Sequence, residues 1–428
     1  MYLSILYICV IIFFTVVRMN IGPWYHVTNP SSIQILNGYP VSWEANLFTK
    51  HYTAFLSNDS SVQHLTEVQI RAFIPLSLSS ILSFYTRESY WSTQIIEIIG
   101  WLAAAVGTTQ IARMMNAPRH VGIVAGLLVT GSPLFVSQIS MHVMHLFEFS
   151  SMCLGIIFVL WFQNILPEIN LDRFNLYSIY YLSVLPSSVL FVLSHIYVYQ
   201  SIIFIILVII GVRILVYLGR YTFLQIMLFA VHLIISYILY NMINSLFVNF
   251  LTYNGVHIVI TGTEIGGDPL RFFSNLGTIL GDHHTVDIAY FFVDKCIASL
   301  DLIINSFGIV AIIYIILGFF QSPFVMKELL LLLNVLVILI VSFYHTPWVA
   351  MSSYPIMYIA AANGIRVVSS YLLFFLGDNS QSKRYSITRL FLYCICVIFV
   401  LLSTNLDIFG NNTFMKKWWH LYSETFPS

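Results

Sequence analysis

Charge is scarce in this chain. Of its 428 residues, 18 are Lys or Arg and 18 are Asp or Glu, 8% in all, where a soluble protein carries about 25%. A water-facing surface cannot be built from so few charges. The two signs balance, so there is no field to draw in nucleic acid, and that partner is set aside. Cysteine is also sparse, at Cys9, Cys153, Cys296, Cys394 and Cys396. Most lie in or beside apolar runs, and Cys394 and Cys396 are two apart, which turns them to different sides of a helix. No disulfide framework or zinc pattern follows, and the thiols read as buried and inert. A Gly-rich phosphate loop, an H-E-x-x-H helix and a G-x-S-x-G elbow are missing too. An inner nucleotide-dependent site is thereby disfavoured, and any reaction energy arrives with the substrate. No internal or inverted repeat is visible, which counts against a secondary transporter.

What fills the chain instead is apolar, 59% of it. Runs of spanning length predict about 11 helices, at roughly 1–18, 90–112, 121–139, 143–163, 177–195, 197–218, 222–248, 301–320, 328–344, 350–375 and 387–403. The expected fold class is all-α, a polytopic transmembrane helical bundle forming a single integral membrane domain over 1–428. The first run has no positive leader and no small-residue cleavage site before Arg18, so it reads as a retained span.

Orientation follows from the positive-inside rule. With the N-terminus inside, Arg113 and Arg119, Arg173, Arg213 and Arg220, Lys327, and Lys383, Arg384 and Arg389 all fall on inner turns. The short outer turns at 139–143, 195–197 and 345–349 carry no Lys or Arg. The tail, 404–428, is then outside. The expected location is the plasma or inner membrane, or the endoplasmic reticulum of a eukaryote.

Two outer segments are long. The first, 19–89, opens on Gly22-Pro23-Trp24-Tyr25-His26 and closes on an apolar, Ser-rich run from Arg71 to Thr86. That run is too short to span and suits a helix lying in the interface. The second, 249–300, carries Glu264, Asp268, Asp282, Asp287 and Asp294, with polar turns at Gly266-Gly267-Asp268-Pro269 and Gly281-Asp282-His283-His284. Long structured loops on a rigid scaffold are where function sits.

Several ionisable residues gather at these outer ends. Glu44 follows Trp43 near the membrane surface, where partial desolvation would raise its pKa toward that of a general base; the alternative is a carboxylate capping the next helix. Glu148 sits at the outer end of the fourth span with His145 three residues before it, on one helical face. Such a pair can hold a metal, position a phosphate through a protonated His, or simply join two helices. Glu97 reads as structural. Asp282-His283-His284 with Asp287 is a polar turn first and a metal site second. His345 closes the ninth span on the same outer face, and Arg71, Arg271 and Lys295 are outer cations able to hold a phosphate. No cofactor is certain; a divalent metal stays open.

Three stretches together resemble the polyprenyl-phosphate-dependent glycosyltransferases of the GT-C type, the group with the protein mannosyltransferases and lipid A aminoarabinose transferases. The first is Trp43-Glu44-Ala45-Asn46-Leu47 in a long first outer loop, continuing to Arg71-Ala72-Phe73-Ile74-Pro75-Leu76. The second runs from Ser132-Pro133-Leu134-Phe135 to Glu148. The third runs from Tyr344-His345-Thr346-Pro347 to Ser353-Tyr354-Pro355. The likeness covers roughly 1–376. It departs from the family in having one carboxylate where many members have two adjacent ones, His345 where arginine is common, and no large soluble C-terminal domain.

The resemblance implies transfer of a sugar from a polyprenyl-phosphate donor to a protein, lipid or glycan acceptor on the outer face, with inversion. It casts Glu44 as general base, Glu148 as an assistant holding a metal or the acceptor, and Arg71 and His345 as stabilisers of the departing phosphate. Two other classes compete. A transporter or flippase predicts charge near the bilayer midplane, whereas the candidates here lie at one face. A non-catalytic assembly subunit would use the outer loops to bind a partner, and the single carboxylate favours it.

Overall fold

The computed structural model describes residues 33–36, 39–42, 64–66, 89–132, 257–259, 307–322, 354–375 and 390–401, with single helical positions at Leu82, Tyr85, Cys153, Ile157, Ile238, Met242, Leu246, Asn249, Val293, Ile297 and Thr388. The chain divides into two compact units. One holds 31–100 and 139–281; the other holds 1–30, 101–138 and 282–428.

All the long described elements are helices. Helix α1 is Ser89–Met114, close to the expected 90–112, and α2 is Arg119–Thr130. Helices α3 (Phe307–Phe320) and α5 (Leu390–Leu401) are short and apolar, while α4 (Tyr354–Phe375) has 22 residues. Among the described residues, α4 is the one helix long and apolar enough to cross a bilayer. At about 1.5 Å per residue it reaches roughly 33 Å, the thickness of a hydrocarbon core. The other expected spans lie outside the described residues or are covered only at isolated positions.

The α1–α2 connection is built by local chemistry. The Asn116 N–H donates to Arg113 O and the Ala117 N–H to Ala112 O, both at 3.0 Å. These are the two bonds that close a helix through a left-handed residue, and Asn116 is that residue, at φ 59°. Asparagine is among the few side chains that tolerate this conformation. Pro118 then ends the turn, and its carbonyl accepts from the Val121 N–H at 2.9 Å to start α2. Thr109 Oγ1 lies 3.0 Å from Ala105 O and 3.1 Å from Gly122 O, so its single proton is shared between its own helix and the next. The sequence run to 139 predicts a longer α2. The helix instead stops at Thr130, capped by Gly131, just before Ser132-Pro133. A proline there disfavours helical geometry in the residue before it.

Helix α4 is the centre of its unit. Residues 354–365 are buried on every side, and α2 packs against it. Alongside α4 runs α3, in the same direction. Phe307 meets Tyr354 edge-on and Tyr358 at a tilt, with ring centroids 4.7 and 4.8 Å apart, and further along Ser322 meets Asn363 at 3.0 Å. Two glycines let the backbones touch. A Cβ on Gly318 would overlap the backbone of Ala360, and one on Gly364 would overlap that of Tyr314. Small residues at a crossing are how apolar helices gain close packing without a hydrophobic drive. Helix α5 joins through Tyr393, whose hydroxyl donates to Ala362 O at 3.2 Å and whose ring meets His120 edge-on at 5.5 Å.

The outward faces of these helices are apolar. On α3 they carry Ile309, Ile313, Ile316 and Phe320, and on α5 Phe391, Ile395, Ile398 and Phe399, all exposed. Those spacings of three and four trace a single stripe on each helix.

The other unit adds small sheets to segments expected to hold loops and an interface helix. Strands β1 (Ile33–Leu36) and β2 (Tyr39–Ser42) pair antiparallel with Leu36 opposite Tyr39. The two residues between them are Asn37-Gly38, a pair favoured in two-residue hairpins because both positions take positive φ. Strand β3 (His64–Thr66) pairs in parallel with β4 (His257–Val259). That pairing ties the first long loop to the second across almost 200 residues of chain. The all-α expectation thus describes the long elements, with two two-stranded sheets beside them.

Candidate functional site

Glu44, Glu148, Arg71, His345, His145 and Arg271 all lie outside the described residues. The structure does define the elements leading to several of them. Strand β2 ends at Ser42, two residues before Glu44, and β3 ends at Thr66, five before Arg71. Strand β4 ends at Val259, twelve before Arg271, and α4 opens at Tyr354, nine after His345. The β3–β4 pair joins His64–Thr66 to His257–Val259; Arg71 and Arg271 themselves lie beyond these strands, outside the described residues. Leu82 and Tyr85, in the run assigned to an interface helix, are helical, with Tyr85 79% exposed. Among the described residues, no group of His, Cys, Asp and Glu could hold a metal ion.

The described residues form a cleft of about 330 Å³, with polar groups set among largely apolar walls. It lies where α1 turns into α2, beside the end of α3 and the middle of α4, and it is lined by Asn116, Gln321, Ser322, Asn363 and Arg366 among others. Asn363 is buried and fully used. Its amide donates to Gly318 O at 3.2 Å and to Ser322 Oγ at 3.0 Å, while its Oδ1 accepts from Arg366 Nε at 2.9 Å. Ser322 Oγ in turn donates to Gly318 O. A buried amide in an Ala-rich apolar helix costs several kcal/mol unless it is satisfied in this way. The apolar pattern and the motifs gave no sign of this cleft. The available signal was Asn363-Gly364 interrupting Ala360-Ala361-Ala362, followed by a charge one helical turn on from Asn363.

Both turns that border the cleft, at 116–118 and 321–322, are ones the charge distribution assigns to the inner side. Their convergence means that α1 and α3 end at the same side of the unit. The aromatic contact of Phe307 with Tyr354 lies at the other end of α3.

No protein-family model matches the chain, and no curated protein matches it. Solved structures do. The chain is similar to the Archaeoglobus fulgidus oligosaccharyltransferase tethered to an acceptor peptide containing the NVT sequon, with 13% identity and a TM-score of 0.50. That match covers 98% of this chain and 59% of the neighbour. A second structure, the archaeal oligosaccharyltransferase AglB from Archaeoglobus fulgidus with an inhibitory peptide and a dolichol-phosphate, matches at 12% identity and TM-score 0.49, over 98% of this chain and 60% of its own. The chain thus spans about three-fifths of the length of these neighbours. At such identity the likeness establishes a shared fold.

Proposed function

We propose that the chain is a membrane-embedded glycosyltransferase of the GT-C type, transferring a sugar or glycan from a polyprenyl-phosphate donor to an acceptor at the outer face. The observation that carries this reading is the fold likeness to an oligosaccharyltransferase over 98% of the chain. The three sequence stretches around Glu44, Glu148 and His345 support it independently of that likeness. The outward apolar stripes on α3 and α5 support the membrane setting, since a soluble monomer rarely shows contiguous apolar faces of this kind.

The chemistry follows from the residue types. Glu44 takes the proton of an acceptor nucleophile as it attacks the anomeric carbon. Glu148, with His145 three residues before it in the chain, orients the acceptor or holds a divalent cation. Arg71, His345 and Arg271 neutralise the charge that develops on the leaving phosphate. A single base without a second carboxylate as nucleophile favours one displacement and an inverted centre. The acceptor class to try first is a peptide, because the fold neighbour was solved with one.

The test is transfer from labelled polyprenyl-phosphate sugars to a peptide pool and to a membrane extract, by purified full chain in lipid, wild type against Glu44→Gln. Turnover in the wild type, reduced about 100-fold or more in the variant, is expected if Glu44 is the base. Full activity in Glu44→Gln would keep the enzyme and discard that base. Donor binding without turnover in either protein would point to a flippase or assembly subunit.

A further inference from the structure

The cleft between the α1–α2 turn, α3 and α4 has no part in the chemistry proposed above, yet its polar groups are organised beyond what packing requires. Arg366 is half-buried and, among the described residues, meets no carboxylate. Its Nε is committed to Asn363 Oδ1, and Asn363 is itself held by Gly318 O and Ser322 Oγ. With Nε occupied and the side chain thereby oriented, what remains is the terminal pair of Nη groups. Those form a planar fork that matches two oxygens of a phosphate. Asn116 and Gln321 line the same space with amide donors, and both are exposed. Among the described residues, none of those that line the cleft is acidic.

The remaining walls are apolar. They include Ala117, Pro118, Val121 and Ile359, and Phe320, next to Gln321 in the chain, is 68% exposed. Arg113 and Arg119 flank the turn on the surface, adding positive charge at the same end. A volume of about 330 Å³ exceeds a phosphate and leaves room for a glycerol-sized ester. Basic pockets between helices, with apolar walls, suit the phosphate of a lipid headgroup.

We propose that this cleft binds a phosphate ester through Arg366, at the side of the unit assigned to the inner face. The donor sugar plays no part in the proposal. The ligand is the headgroup phosphate of an anionic lipid or the same group on a soluble ester.

The experiment uses the purified full chain in detergent and native mass spectrometry, and reads binding without turnover, so failure here leaves the glycosyltransferase reading intact. Wild type is titrated with phosphatidylglycerol and with diacylglycerol, a lipid that carries no phosphate, and phosphatidylglycerol binding is then challenged with glycerol 3-phosphate. The expected result is about tenfold preference for phosphatidylglycerol, lost in Arg366→Gln and only partly kept in Arg366→Lys, which retains charge but not the fork. Competition by glycerol 3-phosphate would assign the site to the phosphate ester itself. Its failure to compete, with the preference intact, would assign the site to lipid. Equal retention of both lipids by wild type, or an undiminished preference in Arg366→Gln, would overturn the proposal. Should Arg366→Gln not fold, Gln321→Glu places a carboxylate at an exposed cleft position, and it too must abolish the preference.

Discussion

Asn116 shows how much one residue can be asked to do. It closes α1 through a left-handed turn, leaves both helix-ending bonds intact and lines the cleft. A β-branched residue pays a steric penalty at positive φ that glycine avoids. Asn116→Gly is therefore expected to match or exceed wild-type thermal stability, whereas Asn116→Val should lose about 1–2 kcal/mol. Melting curves of the three proteins in one detergent check this, and a Val variant as stable as Asn would remove the left-handed turn from the account. Asn363 makes a second case. Its three bonds link α3, α4 and Arg366, so truncating Asn363 leaves Ser322 and Gly318 short of a donor. A double-mutant cycle of Asn363→Ala with Ser322→Ala should return a coupling of about 0.5–1.5 kcal/mol. Additive losses would mean the pair is adjacent without interacting.

Between elements, the α3–α4 crossing is the most exacting contact described. Gly318 and Gly364 each face backbone, which cannot swing aside as a side-chain end can, while Gly122 faces Thr109 O at a gentler 3.1 Å. Gly318→Ala and Gly364→Ala are expected to cost at least about 2–3 kcal/mol each, with Gly122→Ala clearly milder. Relative yield of monodisperse protein and melting temperature rank them; equal tolerance of all three would contradict the close approach. The β1–β2 hairpin offers a different test. Its two-residue connection, Asn37-Gly38, precedes Glu44 by only a short stretch. If the proposed transfer uses Glu44 as base, Gly38→Val should therefore lower its turnover with little change in melting temperature, since the α2–α4 packing is untouched. An unaffected rate would separate the hairpin from the chemistry.

For the molecule as a whole, the question is what covers the apolar stripes. Ile313 on α3 and Ile398 on α5 are exposed, and water would leave that surface unfavourable by about 25 cal/mol per Å². Nitroxide labels placed at positions 313 and 398 in bilayers should be accessible to oxygen and shielded from a water-soluble nickel chelate. The reverse pattern would put these faces in water or against protein. A label at Arg119, in the α1–α2 turn, should report the opposite, chelate-accessible environment.

Helix positions were legible because a long uniform apolar run is visible in the sequence without knowing any partner. The start and end of α1 and the end of α4 fall within two residues of the apolar pattern, and a solved oligosaccharyltransferase shares the fold. Three things were not legible. Asn37-Gly38 signalled a hairpin, but a four-residue strand is too short to stand out among aromatic loop residues. The β3–β4 pairing joins segments almost 200 positions apart, and no local pattern encodes a partner so distant. The cleft needed Asn116, Gln321, Asn363 and Arg366 to meet from three separate stretches of chain. Local composition chose the helices, because each must satisfy its own backbone and match its own solvent. Which polar groups would face one another was decided only when glycine contacts brought the helices within reach.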